Sequence, residues 1–277
     1  MSPISHLKKL DWWLIIIVVI IVGLGIASFY DIGPKSHDII QRQIIFLAIG
    51  VAVMLAVSFF DYRILKKFSF ASIILYLLAI ALLLFALASR EIRGVSSWIV
   101  FGNLTFEPAE FAKLAMLILL AKYFSQKHVE IYRGHHVLAS GLYTLLPAAI
   151  TMIQPDLGSV IVLFCIWIGM LIFAGIKRRH LLIIFVATVI FSTIGWFAIL
   201  KPYQRTRINA FLNPSHDPRG PGYNILQSKI AFGSGQWFGI AFDQKTSQRA
   251  LVPEPYNDFA FANFARKFGF AGIVTLM

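Results

Sequence analysis

Phe70-Ala-Ser-Ile-Ile-Leu-Tyr-Leu-Leu-Ala-Ile-Ala-Leu-Leu-Leu-Phe-Ala-Leu-Ala88 contains no charged side chain. A run of this length crosses the ~30 Å hydrocarbon core of a bilayer as an α-helix, for which about 20 apolar residues are needed. Comparable runs lie to either side, at Trp13 to Tyr30, Ile44 to Phe60, Phe111 to Phe124, Val137 to Ile153, Leu157 to Ala174 and Leu181 to Leu200. A last one begins near Phe259 and stops at Met277. The runs are continuous, whereas the strands of a membrane barrel alternate apolar-out and polar-in. The expected fold is all-α, a polytopic transmembrane helix bundle of about eight spans.

Composition agrees. Of the 277 residues 58% are hydrophobic and only 14% charged, with a mean hydropathy of +0.75, beyond the apolar content of an ordinary soluble domain. The first run follows His6, Lys8 and Lys9 but is longer than the core of a signal peptide, so it is expected to stay as the first helix. Cys165 is the only cysteine; it has no partner for a disulfide within the chain and reads as a small apolar filler. No fixed repeat or linker divides residues 1–277, and one membrane domain is the simplest organisation. The apolar ending at Met277, with no basic flank, suggests a chain incomplete at the C-terminus.

The net charge is +12, and its distribution over the loops bears on topology. An N-terminus on the cytoplasmic side puts Lys8, Lys9, Arg63, Lys66, Lys67, Lys122, Lys127, Arg133, Lys177, Arg178 and Arg179 inside. The short outer loops then hold Lys35, Arg42, Arg90 and Arg93, as the positive-inside rule expects. The exception is the long outer segment Lys201 to Asp258, with Arg205, Arg207, Arg219, Lys229, Lys245 and Arg249. Long loops weigh less in that rule, and a basic surface beside the bilayer would attract lipid head groups or a pyrophosphate-bearing lipid.

Two outer segments hold the polar residues worth weighing. After the loop Arg90 to Phe106, Glu107-Pro108-Ala109-Glu110 opens a helix, with proline suited to its first turn and both glutamates to the positive end of its dipole. Glu110 and Lys113 stand three apart on one face, where a mutual salt bridge is expected near or inside the membrane. In Gln154-Pro155-Asp156-Leu157-Gly158-Ser159, Asp156 suits the N-cap of the next helix. Within 201–258 a short amphipathic helix is expected at Tyr223 to Phe232, broken by Gly233-Ser234-Gly235. The glycines of Gly233 to Gly239 fit neither phosphate-loop spacing. Asp258, ahead of Phe259-Ala-Phe-Ala262, lies at the water-membrane border, where it suits either a general base or an N-cap for the last helix. The histidines of Gln126 to His136 lack metal-binding spacing.

Together these segments resemble one family. They are Arg93-Gly94, Trp98-Ile99 and Gly102, then Glu107-Pro-Ala-Glu-Phe-Ala-Lys113, then Gln154-Pro-Asp-Leu-Gly158. The long segment adds Arg207, Phe211-Leu-Asn-Pro214, Asp217, Gly222-Tyr-Asn224, Gln227-Ser228 and Gly233-Ser-Gly235, followed by Pro253-Glu254 and Asn257-Asp-Phe259. The chain looks like a member of the SEDS family (shape, elongation, division and sporulation), most similar to its rod-shape branch. The resemblance covers the chain from the first helix onward and implies about ten membrane helices, of which the last two and part of another would be missing here.

It also implies a function, polymerisation of lipid II into glycan strands on the outer face of the bacterial inner membrane, with undecaprenyl pyrophosphate as leaving group. Asp258 matches the catalytic aspartate. It would deprotonate a sugar hydroxyl of the acceptor, which attacks the anomeric carbon of the donor with inversion. Arg205, Arg207 and Arg249 are candidates to stabilise the pyrophosphate charge, a task that a divalent cation, Mg or Mn, could share. Trp98, Glu110, Lys113, Asp156 and Arg207 match positions tied to activity or to the cavity. The implied partner is a class B penicillin-binding protein, the transpeptidase, among the proteins of an elongation complex.

The chain departs from the family pattern at three places. Tyr256-Asn257 stands where His-Thr is usual, Arg266-Lys267 where an acidic pair is usual, and Ser97 where a basic residue precedes the tryptophan. Two other functions remain open on sequence: a lipid II flippase using the Glu110 and Lys113 pair, and a non-catalytic scaffold, which the substitutions and the short C-terminus favour. Nucleic acid is not an expected partner.

Overall fold

The computed structural model describes residues 10–30, 36–61, 63–89, 98–101, 104–127, 134–200, 202–216, 220, 222–240 and 259–277. Helices occupy every apolar run read from the sequence. In chain order they are α1 (Trp12–Ser28), α2 (Ser36–Ser58), the short α3 (Arg63–Lys67), α4 (Ser69–Leu87), α5 (Pro108–Lys127), α6 (Gly134–Ile153), α7 (Leu157–Phe173) and α8 (Arg178–Ile194). A π-helical turn, Gly195–Ile199, follows, then α9 (Pro202–Leu212), a 3-10 turn (Pro214–His216), α10 (Gly222–Ser234) and α11 (Ala260–Leu276).

Ser36–Ser58, Phe70–Leu87, Gly134–Ile153 and Arg178–Ala198 are long and apolar enough to cross a membrane, while Trp12–Ser28 and Leu157–Phe173 are apolar but shorter. The windows in Ser36–Ser58 and Arg178–Ala198 bury none of their residues. Large apolar side chains such as Ile45, Phe185 and Phe191 are exposed, as lipid-facing side chains would be, because hydrocarbon solvates them without the penalty that water exacts.

Two departures from the sequence reading concern the loops. In Arg90 to Phe106 a two-stranded antiparallel hairpin forms, β1 (Ile99–Phe101) against β2 (Leu104–Phe106), with Ile99 paired to Phe106 and Phe101 to Leu104. In Lys201 to Asp258, α9 precedes the expected helix, with Pro202 as its first residue. A proline there loses nothing, since the first helical N–H has no intrahelical acceptor. The helix expected at Tyr223 to Phe232 is α10.

The described chain gathers into two compact units. The first covers 61–193. Its core joins Met116, Leu120 and Phe124 of α5 to Ala148 of α6 and to Leu163 and Leu171 of α7. A second cluster sets Ala79 and Leu83 of α4 against Ala109, Ala112 and Ala115 of α5. Alanines every three residues keep one face of α5 narrow, so the α4 backbone approaches closely, which is how helices gain dispersion energy where lipid offers no hydrophobic drive. Polar bonds tie the same helices. Pro147 of α6 cannot donate to the carbonyl of Tyr143, and the Tyr76 hydroxyl of α4 donates to that carbonyl instead, at 2.7 Å. Trp167 Nε1 donates to Ser140 Oγ at 3.0 Å, and Gln154 Nε2 to the Leu83 carbonyl at 2.7 Å.

The second unit covers 1–60 and 194–277. Asp11 caps α1, its Oδ1 accepting from Leu14 N at 3.2 Å. Gly269 breaks α11, with φ 65 and ψ −168 inside an otherwise helical run. The residues after α10 fill that break. Ile240 N donates to the Arg266 carbonyl (3.0 Å), and the Phe270 and Ala271 amides donate to the carbonyls of Gln236 (2.8 Å) and Trp237 (2.9 Å). The glycine-rich stretch that failed as a phosphate loop is thus a backbone splint for the last helix.

Candidate active site

The polar residues of the first unit converge where α5 and α7 begin. Pro108 opens α5 and Glu110 lies in its first turn, a favourable place for a carboxylate. The expected salt bridge forms, with Lys113 Nζ 2.6 Å from Glu110 Oε1. The pair is lopsided, because the Lys113 side chain is 15% exposed and that of Glu110 66%. Asp156 takes the expected N-cap of α7, its Oδ1 accepting from Ser159 N at 3.1 Å. Its Oδ2 is buried with no hydrogen-bond partner among the described residues, as is Oε1 of the fully buried Gln154.

Glu107, which the sequence reading treated only as a helix-dipole residue, belongs to this group. Burial pushes its carboxyl above the ordinary 4.5, the Asp156 and Glu110 charges push it further, and Lys113 opposes them. Because the folded value is raised, its neutral form favours the folded state. That contribution is complete below pH 4.5 and is lost as pH rises through the folded value. Glu107→Gln, neutral at every pH, is therefore expected to melt slightly higher than wild type at pH 7 and no higher at pH 4. Thermal unfolding at both pH values checks this, and the opposite ordering would show that Glu107 is stabilised as a carboxylate.

Lys113 and Glu110 also differ in what their loss leaves behind. Glu110→Gln strands a largely buried ammonium, whereas Lys113→Met strands a solvated carboxylate. The glutamate variant is thus expected to be the less stable by about 1 kcal/mol, measured by denaturation in detergent.

Trp98 sits at the mouth of the hairpin. Ser89 Oγ, at the end of α4, donates to its carbonyl at 2.9 Å. Ile99 pairs with Phe106, so Trp98 and Glu107 flank the same end of the ribbon. The hairpin therefore carries the tryptophan toward the start of α5, a link no local pattern in the sequence reveals.

The arginines belong to the second unit. Arg205 Nη2 donates to the Phe197 carbonyl at 3.0 Å, capping the π-helical turn, while its Nε is buried without a hydrogen-bond partner among the described residues. Arg207 is exposed on α9 and lies over the Tyr203 ring, 5.9 Å from its centroid. Arg249 and Asp258 lie outside the described residues. α11 starts at Ala260, with Phe259 at the N-cap. Among the described residues no three His, Cys, Asp or Glu side chains are grouped to hold a metal ion; Glu110 is taken by Lys113 and Asp156 Oδ1 by the helix it caps.

A family model described as cell cycle protein, covering FtsW, RodA and SpoVE, matches residues 6–277. The chain belongs to the FtsW/RodA/SpoVE family. It is 30% identical over its whole length to the probable peptidoglycan glycosyltransferase FtsW of Aromatoleum aromaticum, covering 70% of that protein. A chain of a peptidoglycan synthase complex, solved to describe the coordination of polymerization and crosslinking, shares 29% identity at a TM-score of 0.77 over 97% of this chain and 74% of that one. The rod shape determining protein RodA of Thermus thermophilus follows at 26% and 0.64, over 97% of this chain and 70% of its own. The chain spans between 60% and 74% of the length of relatives such as the FtsW of Aliivibrio salmonicida and the stage V sporulation protein E of Bacillus subtilis. Family membership and the helical architecture make it a multi-pass protein of the inner membrane.

Proposed function

We infer that this chain is a peptidoglycan glycosyltransferase that polymerises lipid II into glycan strands. The family match across residues 6–277 carries the inference, and the polar cluster at the start of α5 and α7 supports it, since ionisable residues are costly at a membrane border and are kept there for a task. Asp258 is the general base. Its carboxylate takes the proton of an acceptor sugar hydroxyl as that oxygen bonds to the donor's anomeric carbon; the bond to the pyrophosphate oxygen breaks and configuration inverts. Arg205, Arg207 and Arg249 balance the charge that develops on the departing undecaprenyl pyrophosphate. A divalent cation, where one binds, would supply the same neutralisation.

Glu110, Lys113, Asp156 and Trp98 shape the substrate cavity, the first two acting as a fixed ion pair. The partner is a class B penicillin-binding protein that crosslinks the strands as they emerge, and the N-terminus is cytoplasmic. Elongation is the proposed setting, supported by the likeness to RodA at 26% identity, and division is the alternative that the likeness to FtsW at 30% supports. Purified full-length protein in sealed liposomes carrying labelled lipid II, with its penicillin-binding protein, separates this function from transport. Glycan strands with no gain in lipid II translocation are expected; translocation without strands would overturn the proposal.

A further inference from the structure

The C-terminus of α1 is closed by another helix. The last carbonyls of an α-helix have no intrahelical donors and carry the negative end of its dipole, and α1 has no basic residue in its own last turn. The chain's own next amides serve two of them, Phe29 N donating to the Ile26 carbonyl and Tyr30 N to that of Ala27, and α11 adds side-chain donors. Asn263 Nδ2 donates to the Ser28 carbonyl at 2.8 Å. Lys267 Nζ donates to the carbonyls of Ala27 (3.0 Å) and Tyr30 (2.9 Å) and lies 5.5 Å from the centroid of the Tyr30 ring. Asn263 and Lys267 are four residues apart, hence on one helical face, and Asn263 and Ser28 are both buried.

The place of this contact along α11 gives it a consequence. The break at Gly269 lies two residues beyond Lys267, so the bonds to α1 hold the first half of the helix and leave the second half to the backbone splint from Gln236 and Trp237. That first half starts at Ala260, two residues after Asp258. Whatever fixes the half-helix fixes the root of the chain that bears the base, and a general base works only within hydrogen-bond reach of the proton it takes. A displacement of about 1 Å is enough to cost about 10²-fold in rate.

We propose that Asn263 and Lys267 are positioning residues that clamp the half-helix following Asp258 to the end of α1, an inference that rests on the glycosyltransferase function proposed above. Loss of a residue of this kind lowers kcat and leaves substrate binding nearly untouched. Lys267→Met keeps the length and apolar stem of the side chain and loses its donors, whereas Lys267→Arg keeps charge and donors; Asn263→Ala tests the other bond.

The test combines strand formation from labelled lipid II with hydrogen exchange at the amides of residues 260–267, both on the full-length protein. For Lys267→Met and Asn263→Ala we expect faster exchange there, kcat reduced about tenfold or more, and KM for lipid II within about twofold. Lys267→Arg is expected to recover at least about half of the wild-type rate. Unchanged exchange overturns the clamp whatever the polymerisation assay gives, and faster exchange with unchanged kcat overturns its catalytic consequence. A wild-type protein that makes no strands instead contradicts the parent function, while the exchange measurement still decides the clamp.

Discussion

Asp258→Asn is expected to lower the rate of strand formation by about 10²–10⁴-fold, the usual contribution of a positioned general base, while membrane insertion and KM for lipid II change little. Asparagine keeps the size and polarity of the side chain and removes only its capacity to accept a proton, so lost folding is a poor explanation for such a result. The pH dependence supplies a second sign. The wild-type rate should fall at acid pH as the carboxylate is protonated, and that limb should be missing from the residual rate of the variant. An unchanged rate, or an acid limb that persists in Asp258→Asn, would assign the base to another residue.

The second large effect is one of stability. Gly239 and Gly269 meet backbone to backbone, both at positive φ (80 and 65). A Cβ on Gly239 would run into the carbonyl of Lys267, and one on Gly269 into the amide of Gly239 and the carbonyl of Trp237. Left-handed backbone costs a non-glycine residue about 1–2 kcal/mol, and forcing packed backbone apart adds about 1–3. Gly239→Ala should therefore lose about 3 kcal/mol, a fall in melting temperature of roughly 6–12 °C for a chain of this size. Gly25→Ala is the control, because a Cβ there meets nothing within 4 Å; it should melt within a degree or two of wild type. Equal melting of the two variants in a tryptophan-fluorescence scan would mean that the splint does not bear on the last helix.

What the sequence disclosed, it disclosed locally. The apolar runs mark the helices because lipid leaves the backbone no other hydrogen-bonding solution. The Glu110–Lys113 pair and the Asp156 cap were legible because both depend on a spacing of three residues within one helix. The hairpin at Ile99 to Phe106 was hidden because its strands are three residues each, too short for alternation to show. Pro202 suits a first helical turn, but a lone proline in a polar stretch rich in arginine does not by itself distinguish α9 from a loop.

The remaining features join residues far apart in the chain. Ser28 and Asn263 are 235 positions apart, and nothing near either one anticipates the other. The charge of Asp156 reaches Glu107 only because α5 and α7 pack side by side. Lys267 is the most instructive case. Its basic charge stands out against the acidic pair usual in the family, and the carbonyls that end α1 give it a use.

Whether Asp258 drives polymerisation is decided by resolving the glycan strands that the purified full-length protein and its penicillin-binding protein make from labelled lipid II, beside the same complex carrying Asp258→Asn. A ladder of strands from the wild type that is absent from the variant is the expected result. Equal ladders from both, or none from a folded wild-type complex, would contradict it.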